Sequence, residues 1–338
     1  MNVQSMNKKE LIEIIENNKI EPSKELLEAA KSVRDLHYGR KIFARGLIEF
    51  TNFCKNDCYY CGIRRSNKNI CRYRLSKEEI LSCCFEGNRL GFNTFVLQGG
   101  EDSYFDDKIM CDIIYNIKSN YPNCAITLSI GEKSKESYEE YKRAGADRYL
   151  LRHETADNEH YRKLHPKEMS PENRKKCLYT LRELGYQVGA GIMVGSPYQT
   201  AETLAEDLIF MRDLQPHMVG IGPFIPQKDS PFADEKGGTL NLTLTMLALT
   251  RLMLPKVLLP ATTALGTIDE MGREKGFNAG ANVVMPNLSP SGAKHNYTLY
   301  DNKICDGDEA AEYVDNLRLR IEKAGYVLDM SRGDSLVE

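Results

Sequence analysis

Leu47-Ile48-Glu49-Phe50-Thr51-Asn52-Phe53-Cys54-Lys55-Asn56-Asp57-Cys58-Tyr59-Tyr60-Cys61-Gly62 sets a short apolar run directly ahead of three cysteines spaced C-x3-C-x2-C. The run reads as a buried strand. Thiolates so close in sequence can converge on one metal centre only if the chain curls around it, and they are soft ligands suited to iron–sulfur clusters or zinc. The count of three is informative. A 4Fe–4S electron carrier normally has four cysteine ligands and a structural zinc four closed positions, so three ligands leave one metal position open for chemistry. The rival is a zinc site completed by Cys71. That cysteine lies in a basic stretch (Arg64, Arg65, Lys68, Arg72, Arg74) with no histidine nearby. A disulfide is the third reading.

Outward from this stretch the chain repeats one pattern, an apolar or β-branched run and then a charged segment at helical spacing. The predicted strands are Leu47–Phe50, Thr94–Leu97, Ala125–Ser129, Arg148–Arg152, Val188–Met193, Met218–Ile221, Val257–Ala261 and Asn282–Met285. Helices are predicted at Lys77–Leu90, Lys135–Ala144, Pro171–Leu184, Ala201–Leu214 and Thr243–Leu254, several ending on a glycine (Gly91, Gly145, Gly185) suited to a left-handed helix stop. Eight such units in order argue for an α/β fold closed as a (β/α)8 TIM-type barrel, with an open doubly wound sheet as the alternative. The chemistry-bearing residues fall just after strands, where a barrel places its site. Two short helices broken near Glu21-Pro22 precede the first strand, and residues 308–324 read as a last helix. The organisation is then a helical extension (1–40), the barrel (41–290) and a C-terminal extension closing it (291–338). Residues 227–238 form a polar loop long enough to cover the barrel mouth.

The 338 residues carry a net charge of −3 with 41% apolar and 28% charged side chains, which gives no bulk reason to expect nucleic acid or a membrane as partner. No apolar run is long enough to span a bilayer. The start lacks a signal-peptide core, so the expected location is cytoplasmic, where ten cysteines are not expected to form disulfides.

The C-x3-C-x2-C signature after the first strand of such a barrel resembles the radical S-adenosylmethionine (SAM) superfamily. The resemblance implies a 4Fe–4S cluster on Cys54, Cys58 and Cys61, with SAM chelating the open iron. It places Tyr60 against adenine. Gln98-Gly99-Gly100-Glu101-Asp102 resembles the superfamily's Gly-Gly-Glu motif, which receives the SAM ammonium; alone, Gly-Gly is only a turn. Strand alternation puts Arg152 and Glu154 on one face and His153 on the other. A cation and a carboxylate inside a barrel want each other or a zwitterionic ligand such as SAM. Arg174 can hold a carboxylate bidentately. Gly189-Ala190-Gly191-Ile192-Met193-Val194-Gly195 resembles the strand that backs the adenosine, although Tyr198 stands where an acidic residue is sometimes found. Gly220-Ile221-Gly222 could supply the other adenine wall. His153, His160, His165 and His217 read as packed or solvated.

Longer phrases are similar to those of the HydE-type maturases of iron–iron hydrogenases. They are Tyr60–Arg65, Leu97–Asp102, Asp147–Ala156, Met218–Pro226, Leu259–Ala264 and Gly280–Asn287, spread over roughly residues 40–305. This resemblance implies assembly of the two-iron subcluster of the hydrogenase from a cysteine-bound iron carbonyl–cyanide precursor. It implies sister maturases, including a scaffold GTPase, as partners, and a ferredoxin or flavodoxin as electron donor. Arg152, Thr262 and Thr263 are candidate anchors for an amino-acid-like carboxylate, and Met285, Tyr297 and Tyr300 candidate cavity walls. Some HydE-type proteins hold a 2Fe–2S cluster on cysteines beyond the position of Cys305. None follows here, so no second cluster is expected. The alternatives are a methylornithine synthase-like lysine mutase, a biotin synthase, whose sacrificial cluster needs strand cysteines that only Cys124 might supply, and a non-catalytic iron–sulfur carrier.

Overall fold

The computed structural model describes residues 2–305, 307 and 310–338. Helices α1 (Lys8–Asn18) and α2 (Lys24–Tyr38) come first. The first opens on a capping box, Asn7 with Glu10, and the chain breaks at Glu21-Pro22 as the sequence suggests. Strands β1 (Lys41–Ala44) and β2 (Gly46–Thr51) follow, and then the alternation begins: α3 (Lys77–Arg89), β3 (Thr94–Gly99), α4 (Asp107–Asn120), β4 (Ala125–Ser129), α5 (Lys135–Ala144), β5 (Arg148–Leu150), α6 (Asn158–Leu164), α7 (Pro171–Glu183), β6 (Gln187–Val194), α8 (Ala201–Leu214) and β7 (Met218–Pro223). After α9 (Leu240–Met253), α10 (Thr263–Ile268) and α11 (Gly272–Asn278) come β8 (Val283–Val284), α12 (Ser291–Asn296), α13 (Val314–Lys323) and β9 (Val327–Asp329).

Strands β2 to β7 form one parallel sheet in sequence order. Parallel bridges close it: Met218 to Leu258, Pro260 to Val283, and Leu47 to Asn287. The result is a (β/α)8 barrel whose first stave is β1 with β2 and whose seventh is the segment 257–261. That seventh stave makes bridges without a ladder; Pro260 has no N–H to give. Two further features were not legible: β1 extends the first stave, and β9 pairs with it in parallel, Ile42 opposite Leu328. The last helix starts at Val314, after a short 3-10 turn at Ala311–Tyr313, which is later than the 308–324 reading; Asp308 and Glu309 lie outside the described residues.

Local signals set the helix limits. Ser134 caps α5 and Gly145 ends it at φ +118°; Gly91 and Gly185 take φ +91° and +75° after α3 and α7. Between barrel and helices lies a dry layer that includes Ile126, Leu128, Val188, Ile192, Val219 and Ile221, all fully buried. Burying each such side chain stabilises the fold by roughly 1.5–3 kcal/mol. No helix is long and apolar enough to cross a membrane among the described residues.

Candidate active site

A cavity of about 370 Å³ opens at the C-terminal ends of the strands and takes residues from every stave, which is where this barrel architecture gathers chemistry. Cys54, Cys58 and Cys61 all line it. The curl that brings them together is built around Arg72. Its guanidinium donates to the carbonyls of Asn52, Ile63, Arg64 and Asn67, so one side chain satisfies four loop acceptors. Asp57 ties the outer turn, accepting from Arg64 at 2.8 Å and from the Ser66 amide and hydroxyl. Burial, then the nearby Cys54, pushes the Cys61 thiol up to about 12. Cys54 and Cys58 are raised as well, burial being the largest cause. Such thiols deprotonate readily only when a metal takes the charge.

The donor set fits a cluster better than one zinc. Cys71 is exposed and absent from the cavity wall. Among the described residues no three His, Cys, Asp or Glu side chains converge tightly enough for a single ion.

Beside the thiols, Gly99, Gly100 and Glu101 continue β3 along the wall. A Cβ on Gly100 would meet the Phe53 carbonyl oxygen at 2.2 Å, so only glycine lets the cysteine loop press onto the strand. The Glu101 carboxylate accepts from the Glu132 amide at 3.0 Å and stands 3.2 Å from Lys55 Nζ. Gly131, at φ +77°, leaves the space this side chain fills. Arg174 also lines the cavity, but the carboxylate it holds is the chain's own Glu132, at 2.6 Å; it also donates to the Arg152 carbonyl at 3.2 Å. Glu132 was not singled out in the sequence, and nothing local to it gives its role away.

The Tyr60 hydroxyl meets His165 Nε2 at 3.1 Å, while His165 Nδ1 faces the Tyr161 carbonyl at 3.0 Å. The ring therefore keeps its proton on Nδ1, which donates to the carbonyl, and Nε2 accepts from the Tyr60 hydroxyl. Burial and the Arg174 charge drop His165 to about 3, so it is neutral at physiological pH. The ring fixes Tyr60 at the cavity wall.

Arg152 and Glu154 meet in the cavity, Nη2 3.0 Å from Oε2. They do so from irregular chain rather than from a strand: β5 stops at Leu150, and Glu154 is in the left-handed region at φ +64°. The Thr262 hydroxyl and Arg152 Nε are buried and have no hydrogen-bond partner among the described residues. Unsatisfied donors on a cavity wall are what a polar ligand would complete. Thr263, Met285, Tyr297 and Tyr300 line the same cavity. Ile221 does not. It is fully buried in the core, while its neighbours Gly220 and Gly222 face the cavity, so strand alternation turns the Ile221 side chain away from the wall. The sequence also hid Glu49 and Lys303, 254 residues apart, which form a buried ion pair in the wall; Asn287 donates to the same Glu49 carboxylate at 2.7 Å.

The loop 227–238 packs beside the cysteines. Phe232 is buried against Tyr59 and Phe224, Asn69 donates to Asp229 at 2.7 Å, and the Lys228 amide to Asp301 at 2.8 Å.

Residues 48–211 match the model of the radical SAM superfamily. The chain is 50% identical to the [FeFe] hydrogenase maturase subunit HydE of Thermotoga maritima over 83% of its own length and 80% of the relative's. The chain belongs to the HydE family of radical SAM enzymes. This HydE-type chain is also 30% identical to 3-methylornithine synthase of Methanosarcina acetivorans, over 87% and 83% of the two chains. Its fold matches the crystal structure of methylornithine synthase (PylB) at a TM-score of 0.81 and 28% identity, covering 95% and 97%. The hydrogenase maturase HydG from Carboxydothermus hydrogenoformans shares the fold at 0.76 and 20% identity, covering 96% and 79%. Membership of the family implies a 4Fe–4S cluster and SAM.

Proposed function

We propose that this chain cleaves SAM reductively and applies the product to a cysteine-bound iron carbonyl–cyanide precursor, in assembly of the two-iron subcluster of iron–iron hydrogenase. The observation that carries the reading is the 50% identity to HydE over most of both chains, against 30% to the lysine mutase. Bound to Cys54, Cys58 and Cys61, the cluster would supply one electron to SAM and release methionine and a 5′-deoxyadenosyl radical. The chain's own residues do the rest. Tyr60, pinned by His165, offers adenine a wall. Glu101 and the backbone at Gly99 and Gly100 present acceptors to the SAM ammonium, and Glu154 and Arg174 complete a zwitterion site. Arg152, Thr262 and Thr263 anchor a substrate carboxylate; Met285 and Tyr300 shape its space. Partners on this reading are the sister maturases and a small one-electron donor such as a ferredoxin or flavodoxin.

The test is an anaerobic maturation mixture with apo-hydrogenase and the other maturases but no HydE. Adding this chain should restore hydrogen evolution. The same preparation should hold four irons per chain and form 5′-deoxyadenosine with reductant, and Cys305→Ala should leave the iron unchanged; a loss of two irons would reveal a second cluster. The second reading is favoured by the match to methylornithine synthase over 95% of the chain. Conversion of lysine to 3-methylornithine, without restored hydrogen evolution, would establish it instead.

A further inference from the structure

Asp207, on α8, lies outside the barrel in the helix layer. It is fully buried, as is its neighbour His153. Burial, the largest influence, raises its carboxyl above the usual range, against the opposing pull of His153. A carboxylate in such a place is costly unless it is used. Both of its contacts fall on one oxygen: Oδ1 accepts from the Ala156 amide and stands 3.7 Å from His153 Nε2. Oδ2 has no hydrogen-bond partner among the described residues.

His153 carries the contact onward. The Gly191 amide on β6 donates to its Nδ1 at 3.4 Å, which leaves the ring proton on Nε2. Nε2 faces Asp207 Oδ1 at 3.7 Å, an ionic contact beyond hydrogen-bond range, and has no hydrogen-bond partner among the described residues. The Gly191 carbonyl in turn accepts from the Glu154 amide at 3.0 Å. Glu154 is thus gripped from both sides, at 153 and at 156, and by its own amide. It is also one of the few non-glycine residues at positive φ. Such a conformation persists only where the surroundings over-determine it, and it often serves to aim a side chain. Here the side chain aimed is the carboxylate that meets Arg152 in the cavity.

We propose that Asp207 is a positioning residue that holds the left-handed turn at Glu154, through His153 and the Ala156 amide, and thereby presents Glu154 to SAM. The inference rests on the reading of Glu154 as part of the SAM site. The experiment measures SAM binding by calorimetry on reconstituted, unreduced protein, together with deuterium uptake of the peptide covering 151–157 and iron content. Asp207→Ala should weaken SAM about tenfold and speed exchange in that peptide while iron stays complete; Asp207→Asn, whose single oxygen can serve both donors, should remain within about threefold of the parent. The double variant Asp207→Ala/Glu154→Gln should bind no more weakly than the weaker single variant, because both changes disable one device. Unchanged binding and exchange in Asp207→Ala would overturn the proposal, as would losses that multiply in the double variant. If Glu154→Gln alone leaves SAM binding intact, the assignment of Glu154 fails, and accelerated exchange at 151–157 still reports on the anchor. Should Asp207→Ala not fold, His153→Phe removes the same link; parent-like SAM affinity in that variant refutes the role.

Discussion

The two ends of this barrel differ in what their charged groups face. At the base, the segment 330–336 seals the strand starts with paired groups. Arg148 Nη2 reaches Asp334 at 2.6 Å and the Arg332 carbonyl at 2.8 Å; Arg332 in turn meets Asp147 at 2.8 Å. At the mouth, buried polar atoms of Arg152 and Thr262 are left without hydrogen bonds, and three thiols are held at raised pKa. The base ties the C-terminal segment to the strand starts with ion pairs, although Arg45 Nε, Arg148 Nε and the Thr127 hydroxyl there also lack a hydrogen-bond partner among the described residues, while the unpartnered groups of the mouth line an open cavity. Changes at the mouth should therefore abolish chemistry with little loss of fold, and changes at the base the reverse.

The largest effect expected is from Cys58→Ala: no 4Fe–4S absorbance and no 5′-deoxyadenosine, with unchanged far-ultraviolet dichroism. A normal cluster in that variant would sink the assignment of ligands. Next is Arg72→Ala, which strands four carbonyls at once. Its iron content after reconstitution should fall to about half or less, since each unsatisfied buried acceptor costs about 1–3 kcal/mol in the loop that holds the metal. Full iron would show that the loop shapes itself without the guanidinium. At the base, Asp334→Ala should lower unfolding free energy by about 1–2 kcal/mol, less than a fully buried pair would cost because Asp334 is half-exposed, and leave SAM cleavage alone. A loss of cleavage at parent stability would erase the contrast between the ends.

The smallest effect is in pH. His165 titrates near 3 and His217 near 4 in the folded chain, burial being the first cause in both, against an ordinary 6.5. The unfolded chain therefore binds more protons below pH 6.5, and stability should fall as pH drops through 6.5 toward those values. For the almost fully buried His165 the slope approaches about 1.4 kcal/mol per pH unit. Denaturation midpoints at pH 7 and pH 5 should differ in that sense, and His165→Gln should flatten the difference. An unchanged slope would mean that the ring is not held neutral at the mouth.

Much of this was open to a reader of the sequence wherever the signal is local. Capping residues and stop glycines fix α3, α5, α7 and α8 to within a residue. The cysteine spacing and Gly99-Gly100 point to the mouth because their roles are backbone geometry. The reading failed where distant chain decides. β9 becomes a strand only because β1 is there to pair with. The stave predicted as Arg148–Arg152 ends early because Gly191 and Asp207 pull the chain into a turn at Glu154. Ile221 was misplaced because two flanking glycines leave no side chain to reveal which face is inward. Arg174 with Glu132, and Glu49 with Lys303, are pairs that no spacing rule connects.

The wall formed by Tyr297, Leu299, Tyr300, Lys303 and Ile304 lies on one short stretch of chain after the barrel has closed. It hangs on the first stave chiefly through Lys303 and Glu49. It also meets the cysteine loop directly, the Gly62 amide donating to the Leu299 carbonyl and Asn52 to the Asn296 carbonyl, each at 2.8 Å. A designer who transplants that stretch must therefore carry over its lysine together with the groups on the first stave and the cysteine loop that receive it.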